Sequence, residues 1–275
     1  MIKLIATDLD GTLLNTGKKV PGGFVSAVRK LYRHGIRFAI ASGREKASIL
    51  RLFPDLEEFL LIISNNGAMN YDGNKIIGDN SLTVEEIRPV FEAVSALPDV
   101  DPLISCEHGG YYSVDCRGGI DDELLRLSTT REIMQKLFPK VKDPLHSASL
   151  DTIAKLAFYH RVNAWDASQN ALAPFMERFQ IFPSEPVWVN LMKKGIDKGS
   201  GIRQLQQYLG VTPAQTMAFG DYLNDCSMFR EAGVTCAMKN GHPDLKAMAS
   251  CIAPSNDDDG VMRVLRNTFV FLAED

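Results

Sequence analysis

The sequence predicts an α/β protein: a parallel sheet wound with helices, interrupted by an inserted α+β module. Three features of the 275-residue chain predict it. Short apolar runs alternate with amphipathic stretches from Ile2 to about Asn80. The rhythm then breaks, and it returns at Lys198. The apolar runs are continuous rather than alternating, as buried parallel strands require when both faces are covered.

Residues 2–6 read as the first strand. Val25, Val28, Leu31 and Tyr32 recur at helical spacing until Gly35 stops that helix. Residues 36–41 are the second strand, ended by Ser42-Gly43-Arg44. Ala47, Leu50 and Phe53 mark a short helix that Pro54 closes. Residues 60–63 are a third strand, before the turn Asn65-Asn66-Gly67. This order implies a parallel sheet with right-handed crossovers, hence a Rossmann-like core.

Within the insert, residues 84–97 read as a helix and 103–114 as strands around Gly109-Gly110. Residues 121–127 and 130–138 read as helices, 153–159 as a strand, 167–179 as a helix and 186–191 as a strand. Ile202, Leu205 and Leu209 then mark a helix, followed by strands at 216–219, 234–238 and 251–253. The expected division is a core domain of residues 1–81 and 190–275 around an inserted α+β domain of residues 82–189.

Composition, 45% hydrophobic and 23% charged, is that of an ordinary soluble domain. A net charge of -4 without a long Lys/Arg block argues against a nucleic-acid partner. It also means that a bound phosphate needs local cations. No apolar stretch is long enough for a membrane span, and the N-terminus has no signal-peptide pattern. Five scattered cysteines (Cys106, Cys116, Cys226, Cys236, Cys251) without CxxC suggest free thiols and a cytoplasmic location. The sequence carries no signal for oligomeric state.

The chemistry concentrates at predicted strand ends, where open α/β sheets bind ligands. Asp8-Leu9-Asp10-Gly11-Thr12-Leu13-Leu14 follows the first strand. Residues i and i+2 of a strand share a face, so Asp8 and Asp10 can converge, one to attack and one to shuttle a proton. The alternative is a turn with solvated carboxylates. Ser42 and Gly43 offer a hydroxyl and backbone N–H groups for a phosphate, or else Ser42 only caps the next helix. Lys198 could hold a phosphate oxygen and Asp8 together, or be an ordinary exposed lysine. Gly220-Asp221-Tyr222-Leu223-Asn224-Asp225 adds carboxylates suited to Mg²⁺, or forms an Asx-rich turn. Asp257-Asp258-Asp259 reads as a solvated loop. No G-x-S-x-G exists for a serine hydrolase.

Together these four segments resemble motifs one to four of the haloacid dehalogenase-like hydrolase superfamily. Ala237-Met238-Lys239-Asn240-Gly241 and Asp259-Gly260-Val261 are similar to its Cof-like sugar-phosphatase branch. Gly241 stands where such relatives often carry alanine, a difference expected to act on packing. The resemblance covers both ends of the chain, and the insert corresponds to the branch's type IIB cap by length and position alone. It implies Asp8 as nucleophile and Asp10 as general acid and base. It implies Mg²⁺ on the side chains of Asp8 and Asp221 and the backbone carbonyl of Asp10. Leu9, Ser42, Gly43, Lys198 and Asn224 would bind the phosphoryl group, with Asp225 orienting Lys198 or a metal-bound water. Arg44 and Asn66 are places where a leaving group could be read, though substrate identity is expected mainly in the cap. The implied activity is hydrolysis of a small phosphorylated metabolite, a sugar phosphate at family level. A phosphomutase of the same superfamily and a phospho-accepting signalling domain are the alternatives; the latter lacks an equivalent of Asp10.

Overall fold

Leu4–Thr7 (β1) is buried at every residue, as a central parallel strand must be. After it come α1 (Phe24–Arg33), β2 (Arg37–Ala41), α2 (Lys46–Leu52), β3 (Leu60–Ser64), β4 (Met69–Asp72) and β5 (Lys75–Asp79). The chain continues with α3 (Val84–Ser95), β6 (Asp101–Cys106), β7 (Gly109–Ser113), α4 (Ile120–Leu127) and α5 (Arg131–Leu137). Next are β8 (Lys140–Val141), α6 (Pro144–Ala148), β9 (Ile153–Tyr159), α7 (Ala164–Leu172), β10 (Phe179–Glu185) and β11 (Trp188–Lys193). It closes with α8 (Lys198–Leu209), β12 (Thr216–Gly220), α9 (Cys226–Arg230), β13 (Val234–Met238), α10 (Pro243–Met248), β14 (Cys251–Ala253) and α11 (Gly260–Thr268). This computed structural model describes residues 1–128 and 130–272.

The chain forms two units, one of residues 1–79 and 197–275, the other of residues 80–196. In the first, one sheet runs β14-β13-β12-β1-β2-β3-β4-β5. The strands from β14 to β3 are parallel, and β4 and β5 are antiparallel. From β1 the chain winds outward through β2 and β3, and later through β12, β13 and β14 on the other side. The winding reverses between β1 and β12, which opens a crevice at their carboxyl ends. One face of the sheet, with Leu4, Ala6, Ala39, Leu61 and Ala218, packs on Ile202 and Leu205 of α8. Ile5, Phe38, Ile40 and Ile62 alternate with these residues and are equally buried. There Phe24 of α1 meets Phe38 edge-on, with ring centroids 5.3 Å apart.

The second unit is a sheet ordered β10-β11-β9-β6-β7-β8, antiparallel except for β7 with β8. Its core joins Ile104, Leu156, Phe158, Val189 and Leu191 of the strands to Ile87, Val90 and Val94 of α3. Thr83 caps α3, and Glu86 closes the reciprocal capping box.

The structure departs from the sequence reading at several places. The β4–β5 pair is additional; its residues are too polar to read as a buried strand, and β5 is largely exposed. The helix expected over residues 167–179 is α7 and a short 3₁₀ turn, and Phe179 opens β10 instead. Strand β10 carries Pro183 at the sheet's edge, where proline is tolerated and the apolar pattern fades. The turn between β6 and β7 is Glu107-His108, with Gly109-Gly110 inside β7. Strand β11 belongs to the second unit, so the chain returns to the first at Asp197 rather than at residue 190. Finally, Cys236 and Cys251 are not free thiols. They face each other across β13 and β14 with Cα atoms 4.7 Å apart and form a disulfide. Cys106, Cys116 and Cys226 are free. Among the described residues, no helix is long and apolar enough to cross a membrane.

Candidate active site

The site assembles at the reversal point. Asp8 follows β1, and Asp221 and Asp225 follow β12, the adjacent strand. Thr7 pairs with Phe219 in register, and the Asp8 N–H donates to the Phe219 carbonyl at 3.0 Å. The two acidic segments are thereby stitched side by side. One carboxylate oxygen from each of Asp8, Asp221 and Asp225 lies within 4.8 Å of the others.

Lys198 enters from α8. Asp197 caps that helix by accepting from the Ser200 N–H at 2.8 Å, while Ser200 closes a capping box. Two glycines follow in the first turn, costly in a helix. They are needed for close approach: a Cβ on Gly199 would lie 2.5 Å from the Ser227 carbonyl oxygen, and one on Gly201 2.6 Å from Ile63. So α8 sits hard against α9 and β3, and Lys198 reaches inward. It is 1% exposed. Its Nζ donates to Asp8 at 2.5 Å and to Asp225 at 2.7 Å. The exposed-lysine reading is excluded.

The other oxygen of Asp225 accepts the Asp221 and Tyr222 N–H groups at 2.9 and 3.1 Å. Asp225 is thus fully engaged in fixing Lys198 and its own loop. Asp221 accepts from the Thr12 hydroxyl at 2.9 Å. Gly11, at φ 83°, turns the chain beneath it; a Cβ there would lie 2.4 Å from the Asp221 carboxylate. A Cβ on Gly241 would meet the Asp221 backbone at 2.8 Å, so glycine there lets the 239–242 loop close on this segment. The His242 N–H donates to the Asp221 carbonyl at 2.7 Å.

Three carboxylates share one lysine, and the electrostatics follow. Burial pushes Asp8 well above the usual carboxylate range; Lys198 opposes this, and Asp225 and Asp221 reinforce it. Burial and Asp225 raise Asp221 to about 6. Burial works against the charge on Lys198, but Asp225 and Asp8 outweigh it and hold the ammonium above its ordinary value. Uncompensated hard oxygen ligands, converging within one cation's reach, fit a divalent ion held by Asp8 and Asp221.

Asp10 does not share that environment. Strand β1 ends at Thr7, so the alternation that would aim Asp10 beside Asp8 does not extend to it. Its carboxylate accepts from Arg44 Nε at 2.8 Å, Arg44 Nη2 at 2.6 Å and Lys18 Nζ at 2.6 Å. Burial alone would raise its pKa, yet Arg44 and Lys18 bring it below the ordinary value. Arg44, expected near a leaving group, is therefore committed to Asp10. Lys18 was not singled out by any motif.

Ser42 is buried and its hydroxyl accepts the Arg44 N–H at 3.2 Å. It does not cap α2, whose N-cap is Glu45. The 42–44 segment is a loop, so N–H groups of a helix start are not part of its chemistry. The Leu9 side chain is in the core, which leaves only its backbone for a ligand. Asn224 sits half-buried in the 3₁₀ turn Leu223–Asp225. Asn66 lies beside Gly43: its carboxamide nitrogen is 3.3 Å from where a Gly43 Cβ would stand. Asp257 of the acidic triplet binds Thr16 through its N–H and hydroxyl, both at 2.7 Å.

Comparison with known proteins agrees with this geometry. The chain is 26% identical over 286 residues to 5-amino-6-(5-phospho-D-ribitylamino)uracil phosphatase YbjI of Escherichia coli, covering 96% of this chain and 95% of that protein. It is likewise 26% identical to phosphatase YwpJ of Bacillus subtilis, covering 97% and 99%. A crystal structure of a haloacid dehalogenase-like hydrolase from Bacteroides thetaiotaomicron superposes with a TM-score of 0.84 at 26% identity, over 98% of this chain and 100% of that one. The subclass IIB sugar phosphatase BT4131 shares the fold, with a TM-score of 0.79 at 22% identity over 97% and 98%. The haloacid dehalogenase-like hydrolase family model matches residues 5–265, and the chain belongs to that family.

Proposed function

We propose that this hydrolase is a phosphatase of small phosphorylated metabolites that works through an aspartyl-phosphate. The observation that carries the proposal is the buried Lys198 bridging Asp8 and Asp225, with Asp221 alongside. Such a centre holds a nucleophilic carboxylate, a fixed cation and a place for a metal within one contact shell.

Asp8 attacks phosphorus; the new P–O bond forms as the bond to the leaving alkoxide breaks. Asp10 delivers a proton to that alkoxide and then takes one from the water that cleaves the aspartyl-phosphate. In the observed grip Asp10 is purely an acceptor. Proton delivery therefore requires Arg44 or Lys18 to give up a contact, and an arriving phosphate competes for both. Lys198, the Ser42 hydroxyl, the backbone N–H groups of Leu9 and Gly43, and Asn224 bind the transferring group. Asp225 keeps Lys198 aimed. A Mg²⁺ ion on Asp8, Asp221 and the Asp10 carbonyl would neutralise phosphoryl charge. The unit of residues 80–196 is, in the same proposal, the inserted cap domain of this phosphatase.

The substrate class proposed is a sugar- or polyol-type monophosphate. The name of the E. coli relative puts phosphorylated ribityl compounds first among candidates. A cytoplasmic setting is proposed with it. The test is a panel of phosphorylated metabolites scored for phosphate release with and without Mg²⁺. Release that depends on the metal and is lost in Asp8→Asn supports the proposal. A panel with no turnover would refute it.

A further inference from the structure

The turn after β3 carries a cost that its packing does not explain. Asn65 and Asn66 are consecutive and both left-handed, at φ 48° and 56°. Asparagine tolerates that region better than most residues, but two in a row is uncommon. Both are buried, at 1% and 3% exposure. Neither end of the Asn65 carboxamide has a hydrogen-bond partner among the described residues, nor does Asn66 Oδ1, nor Glu45 Oε1. Buried polar groups are almost always satisfied, so four such atoms in two adjoining segments call for an explanation. Strained backbone and orphaned polar atoms tend to occur together where a ligand completes the structure.

The two segments are one construction. The Asn65 N–H donates to the Arg44 carbonyl and the Asn66 N–H to the Ser42 carbonyl, each at 2.9 Å. That ties the turn to the loop of Ser42 and Gly43, and the Asn66 carboxamide lies against Gly43. The Asn66 carboxamide thus borders the place assigned to the phosphoryl group, and Asn65 is held to the same loop by its backbone. Their chemistry differs from that group's needs. Three of the four are acceptors and one is a donor. A phosphoryl oxygen only accepts, so it can pair with the Asn65 Nδ2 donor but with none of the three acceptors. An alcohol hydroxyl donates as well as accepts, so it can pair with that donor and also with one of the acceptors.

We propose that Asn65, with Asn66, is a specificity-determining residue that hydrogen-bonds a hydroxyl on the leaving group, next to the ester. This rests on the phosphatase reading and deepens it. It assigns the hydroxyl nearest the phosphate to the core unit, on a residue that no motif marks.

The test uses a matched pair, erythritol 4-phosphate and butyl phosphate, with the full-length protein and Mg²⁺. The variants are Asn65→Gly, which suits φ 48° and removes the carboxamide, and Asn65→Asp, which keeps the shape and removes the donor. Wild type should prefer the polyol ester by kcat/KM. Both variants should cut that preference roughly ten-fold or more, as loss of a buried polar pairing does, with butyl phosphate turnover within about three-fold of wild type. An unchanged preference ratio, or an equal fall on both esters, would overturn the assignment while leaving the phosphatase reading in place. No release from either ester by wild type would remove that reading, and this one with it.

Discussion

Replacing Lys198 by methionine isolates the ionic balance of the site. The side chain keeps its length and loses its charge. In the wild type the ammonium is buried and donates to Asp8 and Asp225. Removing one partner of a buried ionic cluster leaves uncompensated charge and costs about 3–5 kcal/mol. In a chain of this size that is a fall of roughly 10 °C in Tm. The loss should depend on pH in a stated direction. Lys198 is held above its ordinary pKa, so its own titration lies above neutrality. The pH dependence between 4 and 8 belongs to the carboxylates. Asp8 and Asp221 already bind protons more tightly folded than unfolded. Without the lysine they do so more strongly. Stability should therefore be nearest that of wild type at about pH 3 and below, where the carboxylates are protonated in both states, and fall as pH rises past their unfolded values near 4. Urea unfolding at several pH values, without metal, measures this. A loss below about 1 kcal/mol at pH 7.5, or a loss equal at pH 4.5 and 7.5, would refute the argument.

Metal binding should show the same electrostatics with the opposite sign. Raising Asp221 from 3.8 to about 6 puts a penalty of roughly 3 kcal/mol on its ionised form. The metal-free protein should lose stability as pH climbs through that interval, and millimolar Mg²⁺ should raise Tm more at pH 7.5 than at pH 5; an equal rise would count against a carboxylate site. Gly11→Ala places a Cβ 2.4 Å from the Asp221 carboxylate at a positive φ. It should destabilise by about 1–3 kcal/mol and weaken Mg²⁺ binding, which calorimetry can detect. Asp10→Asn should lower kcat at least about 100-fold with Tm nearly unchanged, because its partners are exposed enough to be solvated. Near-normal turnover by that variant would end the acid/base role for Asp10.

The parts of the fold that were legible in the sequence are those where one force dominates. Strands β1, β2 and β3 are covered on both faces, so they had to be apolar runs, and Leu60 to Ile63 could be read at sight. Strands β5 and β10 lie at sheet edges, where exposure relaxes the pattern and Pro183 is tolerated. Asp8, Asp221 and Lys198 could be located because each follows a strand or opens a helix, and such positions converge in a parallel sheet. What the motifs did not carry are contacts between side chains that no local pattern links. Lys18 reaches Asp10 from a polar loop, and Asn65 looks like any turn residue until its φ and burial are known. The pairing of Cys236 with Cys251 is of this kind, since it depends on the register of β13 against β14.

The different environments of Asp8 and Asp10 bear on how one site can use two carboxylates. They stand two residues apart, yet one is buried with two further carboxylates around a single lysine and the other is clasped by two cations. The crowding around Asp8 disfavours its charge until a cation arrives, so the nucleophile is matched to the metal-bound state. The clasp on Asp10 favours its charge until a competing anion draws Arg44 or Lys18 away. Each group is thus poised for the opposite ligand. A divalent cation and a phosphate monoester together relieve both imbalances, whereas either alone relieves one. Binding of the two should therefore be cooperative, and the apparent affinity for inorganic phosphate should rise with Mg²⁺ in wild type. Loss of the arginine contact in Arg44→Ala should weaken phosphate binding in the presence of Mg²⁺. Phosphate affinity indifferent to Mg²⁺ would show that the two halves of the site are not coupled in this way.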